Sequence, residues 1–157
     1  MKNILVLCTG NSCRSQMAHG YLAYYCRGKA NIYSAGIEVH GVNEMAIEVM
    51  SEDGIDISMN SSNNIDEYIS INFDYIITVC DHANENCPFI PSTNAIRIHQ
   101  NFNDPSRYDL NKLPSSLILN SVLLFLILEL PFISSATEPW PNENIWNPPL
   151  SVRIGHF

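Results

Sequence analysis

Short apolar runs alternate with stretches of helical apolar spacing from Met1 to about Asp104. Ile4-Leu5-Val6-Leu7 is too short for a helix and predicts a buried strand, and the segment from Gln16 to Cys26 predicts a helix after it. Ile32-Tyr33-Ser34-Ala35, closed by Gly36, predicts a second strand. Asn43 is a fitting N-cap for a helix with apolar positions Met45, Ala46, Val49 and Met50, and Gly54 is a fitting stop. A short helix is expected around Asp66 to Ile69. Phe73-Asp74-Tyr75-Ile76-Ile77-Thr78-Val79 is the strongest strand pattern, with Cys80 at its end, and Ala95-Ile96-Arg97-Ile98-His99 predicts a fourth strand. Strands alternating with helices indicate an α/β domain with a parallel sheet, whose ligands sit at the carboxyl ends of the strands. Cys8 and Cys80 both stand at that edge, so two thiols are expected to face one pocket.

Beyond Asp104-Pro105 the pattern changes. Leu113 to Ile133 is strongly apolar, no Lys or Arg falls between Lys112 and Arg153, and the tail from Thr137 carries Pro139, Pro141, Pro148 and Pro149 with both tryptophans. The densest apolar run, Val122 to Leu130, contains Glu129 and stops at Pro131. That is short of the roughly 20 residues a membrane helix needs, so a buried helix followed by an irregular tail is the expectation.

A chain of 157 residues is long enough to bury a core as one domain. Hydrophobic content of 46% with 15% charged residues excludes wholesale disorder. Sixteen acidic against eight basic residues leave a net charge of −8, which argues against nucleic acid or an anionic membrane as the main partner. A small anion must then be drawn by a local field. Cys8, Cys13, Cys26, Cys80 and Cys87 make an odd number, and Met1-Lys2-Asn3 runs straight into a strand. Neither fits a secreted disulfide framework, so a cytoplasmic protein with reduced thiols is expected.

Cys8-Thr9-Gly10-Asn11-Ser12-Cys13-Arg14-Ser15 joins the first strand to the first helix. Such a turn collects backbone N–H groups, and the positive end of the helix, around the sulfur, where a tetrahedral oxyanion would be held. The same field favours thiolate, so Cys8 is expected to be ionised near neutral pH and nucleophilic. Arg14 offers a planar fork for two oxyanion oxygens. The plainer reading makes Cys8 a buried strand-end thiol and Arg14 an ordinary helix-start residue. Gly10, Asn11 and the serines favour the anion loop, because they suit the left-handed and turn conformations it requires.

Cys80-Asp81-His82-Ala83-Asn84-Glu85-Asn86-Cys87-Pro88 is polar and turn-rich. By itself it fits an incidental pair of thiols, a metal site using Cys80, His82 and Cys87, or a thiol relay about equally. A structural zinc site wants tighter cysteine pairs and a fourth ligand, so no metal is assigned. An activated Cys8 at the same sheet edge favours the relay. Asp104-Pro105 reads as a turn or as a partly desolvated general acid above that edge.

Residues 1–106 resemble the low-molecular-weight protein-tyrosine-phosphatase superfamily, and within it the thioredoxin-coupled arsenate reductases. The resemblance rests on Cys8 through Ala18, Ser34-Ala35-Gly36, Thr78-Val79-Cys80 through Cys87-Pro88, and Asp104-Pro105. Plain phosphatases of the superfamily share the first stretch and generally lack the two-cysteine loop. The resemblance implies a three-layer domain, a four-stranded parallel sheet with helices on both faces. It implies an oxyanion loop of Thr9, Gly10, Asn11, Ser12, Cys13, Arg14 and Ser15. In that loop Cys8 would be nucleophile and Arg14 oxyanion clamp, with Asp104 as general acid. Cys80 would resolve the arsenate adduct and Cys87 would pass the oxidation outward to thioredoxin, the external reductant of a monomer that needs no cofactor. A low-molecular-weight phosphatase is the alternative enzyme, and an oxyanion- or oxidant-sensing remnant the non-enzymatic one. The resemblance also ties Asn11, Ser34, Asp66 and the position of His19 to a structural cation, and at His19 the family usually has an acidic residue. Finally, residues 107–157 do not look like the charged amphipathic helix that ends the family's domain. Either a divergent tail or a frameshift near Arg107 or Tyr108 accounts for them.

Overall fold

Along β1 (Lys2–Cys8) the side chains of Ile4, Val6 and Cys8 enter one buried cluster, and those of Leu5 and Leu7 enter another. The period of two and burial on both faces explain why this strand reads as an unbroken apolar run. The structure, a computed structural model, describes residues 1–81, 83, 90, 92 and 94–102. After β1 come α1 (Arg14–Tyr25), β2 (Ala30–Gly36), α2 (Glu44–Glu52), a 3-10 helix (Ile65–Tyr68), β3 (Tyr75–Thr78) and β4 (Ile96–His99). The four strands form one parallel sheet in the order β2-β1-β3-β4. Its register pairs Cys8 with Gly36, Leu7 with Thr78, and Thr78 with His99. The carboxyl ends of all four strands therefore meet at one edge.

The first cluster joins β1 to α1 and α2 through Met17, Tyr21, Leu22, Val49 and Met50. The second joins Leu5, Leu7 and Ile76 to Ile65, Phe73 and Ile90 on the other face. The α/β fold with a four-stranded parallel sheet is as expected, and three details differ. Met45 is 36% exposed, while Ala46, Val49 and Met50 carry the buried face of α2. The short helix is a 3-10 turn, started by Asn64, whose side chain and that of Glu67 form a reciprocal cap. β3 is shorter than its apolar run: Phe73 precedes it, packs edge-on against Tyr33, and donates its N–H to Ser92 Oγ. The α2 boundaries follow local chemistry. Asn43 Oδ1 accepts from the N–H groups of Met45 and Ala46, and Gly54 has φ of 74° just past the helix.

His82, Cys87, Asp104, the apolar helix candidate and the Pro- and Trp-containing tail of residues 107–157 lie outside the described residues. Among the described residues, no helix is long and apolar enough to cross a membrane.

Ile77 is fully buried in the central sheet. Ile77→Ala is expected to lower unfolding free energy by about 2–5 kcal/mol, read as a lower urea midpoint at unchanged slope. A shift under about 0.5 kcal/mol would show that the site collapses around the gap or that β3 contributes little to the cooperative core.

Candidate active site

The turn from Cys8 to Arg14 is held from behind. The carbonyl oxygen of Thr9 accepts from Glu38 N–H, that of Gly10 from His40 N–H and Ser62 Oγ, and that of Ser12 from Asn43 N–H. The Asn11 carbonyl accepts from Gln16 Nε2. In a trans peptide the N–H points opposite to the C=O. Anchoring these carbonyls outward therefore turns the N–H groups of Gly10, Asn11, Ser12 and Cys13 the other way, the arrangement that binds anions. Asn11 has φ of 44°, the left-handed conformation expected for it. Its buried side chain accepts from Gln16 Nε2 and from Asn63 N–H, and donates to Ser15 Oγ. Ser15 and Gln16 are fully buried, so these two serve as struts of the loop. Gly36 is the register partner of Cys8, and a Cβ there would come within 2.6 Å of Thr9 O and 2.8 Å of Asn11 N. Only glycine lets β2 pass that close to backbone.

The two thiols meet. Cys8 Sγ lies 3.5 Å from Cys80 Sγ, with Cys8 as donor, and Thr9 Oγ1 is 3.3 Å from Cys80 Sγ. Both cysteines are buried. The expectation of an ionised Cys8 treated that thiol alone, and here the charge belongs to a pair. The Cys80 thiol is pulled below the ordinary thiol range by the hydrogen bond from Cys8, against its own burial, with help from the Thr9 hydroxyl, the Ala83 N–H and Arg14. The Cys8 proton is held above that range by the hydrogen bond it donates to Cys80, by burial and by the adjacent negative charge. One ionisation is thus shared between two buried sulfurs 3.5 Å apart.

Arg14 opens α1 beside the loop, and its Nη1 donates to the carbonyl of Phe102 at 3.0 Å. Phe102 in turn donates its N–H to Val79 O, just before Cys80. The arginine therefore bridges the anion loop to the segment that leads into Asp104. Of the expected site residues, the fold brings together Cys8, Thr9, Gly10, Asn11, Ser12, Cys13, Arg14, Ser15 and Cys80. Cys87 and Asp104 lie outside the described residues. Sequence reasoning passed over the supporting residues Glu38, His40 and Asn60 to Asn63, and gave Asn43 only its role as a helix cap. The run Asn60-Ser61-Ser62-Asn63-Asn64 was the available signal, a cluster of short polar side chains suited to capping carbonyls.

The residues at the positions tied to a cation do not fit one. Ser34 Oγ is 2.9 Å from His19 Nδ1, and both lone pairs of Asn11 Oδ1 are taken by N–H donors. Burial lowers the His19 pKa, keeping the ring neutral, and Asp66 stands exposed at the 3-10 helix. Among the described residues no three His, Cys, Asp or Glu groups converge as metal ligands.

Residues 3–114 match the profile of the low molecular weight phosphotyrosine protein phosphatase family. The arsenate reductase of Staphylococcus aureus (strain Newman) is 50% identical over 105 residues, which make up 67% of this chain and 79% of that protein. The arsenate reductase of Halalkalibacterium halodurans is 49% identical over 106 residues, 68% of this chain and 76% of its own. Among solved structures, an arsenate reductase in the intermediate state aligns with a TM-score of 0.70 at 30% identity, covering 85% of this chain and 98% of that one. An arsenate reductase in the phosphate-binding state aligns at 0.69 with 28% identity, covering 87% and 100%.

The shared proton is measurable. With Cys13, Cys26 and Cys87 replaced by alanine, thiolate absorbance should show one ionisation below the usual thiol pKa of about 8.5 and a second above it. Two overlapping steps near that value would show that the sulfurs titrate independently.

Proposed function

Because the chain belongs to the low molecular weight phosphotyrosine protein phosphatase family, on its arsenate reductase branch, we propose that it reduces arsenate to arsenite through the Cys8 and Cys80 thiols. The observation that carries this reading is the 3.5 Å approach of the two sulfurs beside the anion loop. A phosphate-ester hydrolase uses the same loop and arginine but gives Cys80 no task, since water resolves its phosphoenzyme. A remnant that only senses oxyanions has no use for a thiol pair sharing one proton, whereas one that senses oxidants would use the pair and is separated from a reductase by arsenite release.

Arsenate enters the ring of N–H groups, and the Arg14 fork takes two of its oxygens. The Cys80 thiolate accepts the Cys8 proton along the existing hydrogen bond as Cys8 sulfur attacks arsenic. One arsenate oxygen, protonated by Asp104, leaves as water. Cys80 then passes its proton to an arsenic-bound oxygen and attacks Cys8 sulfur. The S–S bond forms, the S–As bond breaks, and its electron pair stays on arsenic, which departs as arsenite. Cys87 thiolate next displaces Cys8 from Cys80, leaving a Cys80–Cys87 disulfide and a restored Cys8 thiol. A thioredoxin-type dithiol reduces that disulfide, passing two electrons and two protons to Cys80 and Cys87 and becoming a disulfide itself. The relay calls for no organic cofactor, and the reductant is a cytoplasmic protein.

Arsenite release from arsenate, with and without thioredoxin and its reductase, tests the scheme. Cys8→Ser should abolish it, because a serine hydroxyl is not ionised by this loop. Cys80→Ser and Cys87→Ser should each stop multiple turnover, while Cys87→Ser accumulates the Cys8–Cys80 disulfide after one turnover. Parental multiple-turnover rates in both variants would reject the relay and favour the hydrolase.

Arg14→Lys keeps the charge and loses the fork. Its kcat/KM for arsenate should fall by the equivalent of about 2–4 kcal/mol. A variant within a factor of a few of the parent would make Arg14 a structural residue only.

A further inference from the structure

Backbone pairing between the β3 and β4 extensions reaches Val79, whose carbonyl accepts from Phe102 N–H. Past that point a side chain takes over. Asp81, next in sequence to Cys80, has its Oδ1 3.0 Å from His99 Nε2, and its Oδ2 accepts a hydrogen bond from Asn101 Nδ2. His99 Nδ1 is 2.8 Å from Thr78 Oγ1. A carboxylate only accepts, so in the neutral ring Nε2 carries the proton and Nδ1 accepts from the Thr78 hydroxyl. The ring is thereby oriented from β3, at its tip grips Asp81, and fixes the residue beside the thiol to β4. None of these groups belongs to the anion loop, and the functional scheme above gives them no role.

We propose that Asp81, clamped by His99 and Asn101, is a positioning residue that holds Cys80 Sγ within reach of Cys8 Sγ. The inference deepens the relay reading and rests on it for its use in turnover. A disulfide tolerates only a narrow range of Cα separation and Cβ direction, so small freedom at the start of the Cys80 segment dilutes the reactive arrangement. The Asp81 side chain is 61% exposed and that of His99 34%. A hydrogen bond that open adds little to global stability, so its effect is local. The clamp thus controls one step, formation of the Cys8–Cys80 bond, and leaves the fold and the anion loop as they are.

The test needs no arsenate. In the full chain with Cys13→Ala, Cys26→Ala and Cys87→Ser, the thiol pair is equilibrated with reduced and oxidised glutathione. One thiolate of the pair attacks glutathione disulfide, and the other then displaces the bound glutathione. The Cys8–Cys80 bond forms, two glutathione thiols are released, and two electrons pass from the pair to glutathione. Asp81→Ala should lower the equilibrium constant about tenfold, a rise of about 30 mV in reduction potential, at a nearly unchanged melting temperature. Asp81→Asn, which keeps an oxygen for His99 Nε2–H, should recover most of the loss. Asn101→Ala should give a smaller shift in the same direction, and it carries the test where Asp81→Ala does not melt cooperatively. An unchanged equilibrium constant in these variants overturns the proposal, as does a loss that merely tracks the melting temperature. If the parent forms the disulfide and Asp81→Ala weakens it, but arsenate is never reduced, the functional reading fails while the role of Asp81 stands.

Discussion

The carbonyl oxygens of Thr9, Gly10, Asn11 and Ser12 all accept hydrogen bonds from groups behind the loop, and the rest of the site depends on that. A peptide cannot point its N–H and its C=O the same way. Once the oxygens are committed to Glu38, His40, Gln16 and Asn43, the N–H groups are committed to the side where Cys8 and Arg14 stand. The donors come from three places: the segment after β2, the start of α1, and the segment around Ser62. The direction of the loop's N–H groups is thus set by the fold itself. Gly36 shows how tight the fit is, since β2 runs against the loop with no room for a Cβ.

The parallel register brings a second reactive group to the same place. Leu7 pairs with Thr78, so the chain leaving β3 rises beside the chain leaving β1, and Cys80 arrives at Cys8. The segment after β4 then closes the arrangement from the far side. Its Phe102 carbonyl receives Arg14, its Phe102 N–H binds Val79, and its Asn101 and His99 hold Asp81. One short stretch, His99 to Phe102, thus touches both Arg14 and the neighbour of the second thiol. The two soft, easily polarised sulfurs are both buried, and Cys8 donates a hydrogen bond to Cys80. The same burial that disfavours two charges favours sharing one.

A substituted His19 fits the same logic. Its neutral ring meets Ser34 Oγ, and Asn11 Oδ1 is saturated by N–H donors, so the back of the loop is satisfied by hydrogen bonds among protein groups. Buried polar groups are costly only when unpaired, and here each of these finds a partner.

What the sequence by itself determined was whatever depends on neighbours in the chain. The strands and helices appear in the predicted order because their apolar spacing is local, Asn43 caps α2 because its oxygen needs only the next N–H groups, and Asn11 turns left-handed because it follows glycine in a tight loop. Gly10, Asn11 and the serines between Cys8 and the first helix pointed to an anion loop for the same reason. What only the tertiary structure decided depends on partners far along the chain. Met45 is exposed because the core covers α2 on the side of Ala46, Val49 and Met50, a choice made by the elements packed against it. The Asn60–Asn64 run buttresses the loop, and Asp81 finds His99, through contacts that no periodicity encodes. The ionisation of Cys8 is the sharpest case. Loop chemistry alone predicts a thiolate there, but a sulfur 72 positions away, delivered by strand register, couples to it, so the first ionisation belongs to the pair, because two buried charges 3.5 Å apart repel.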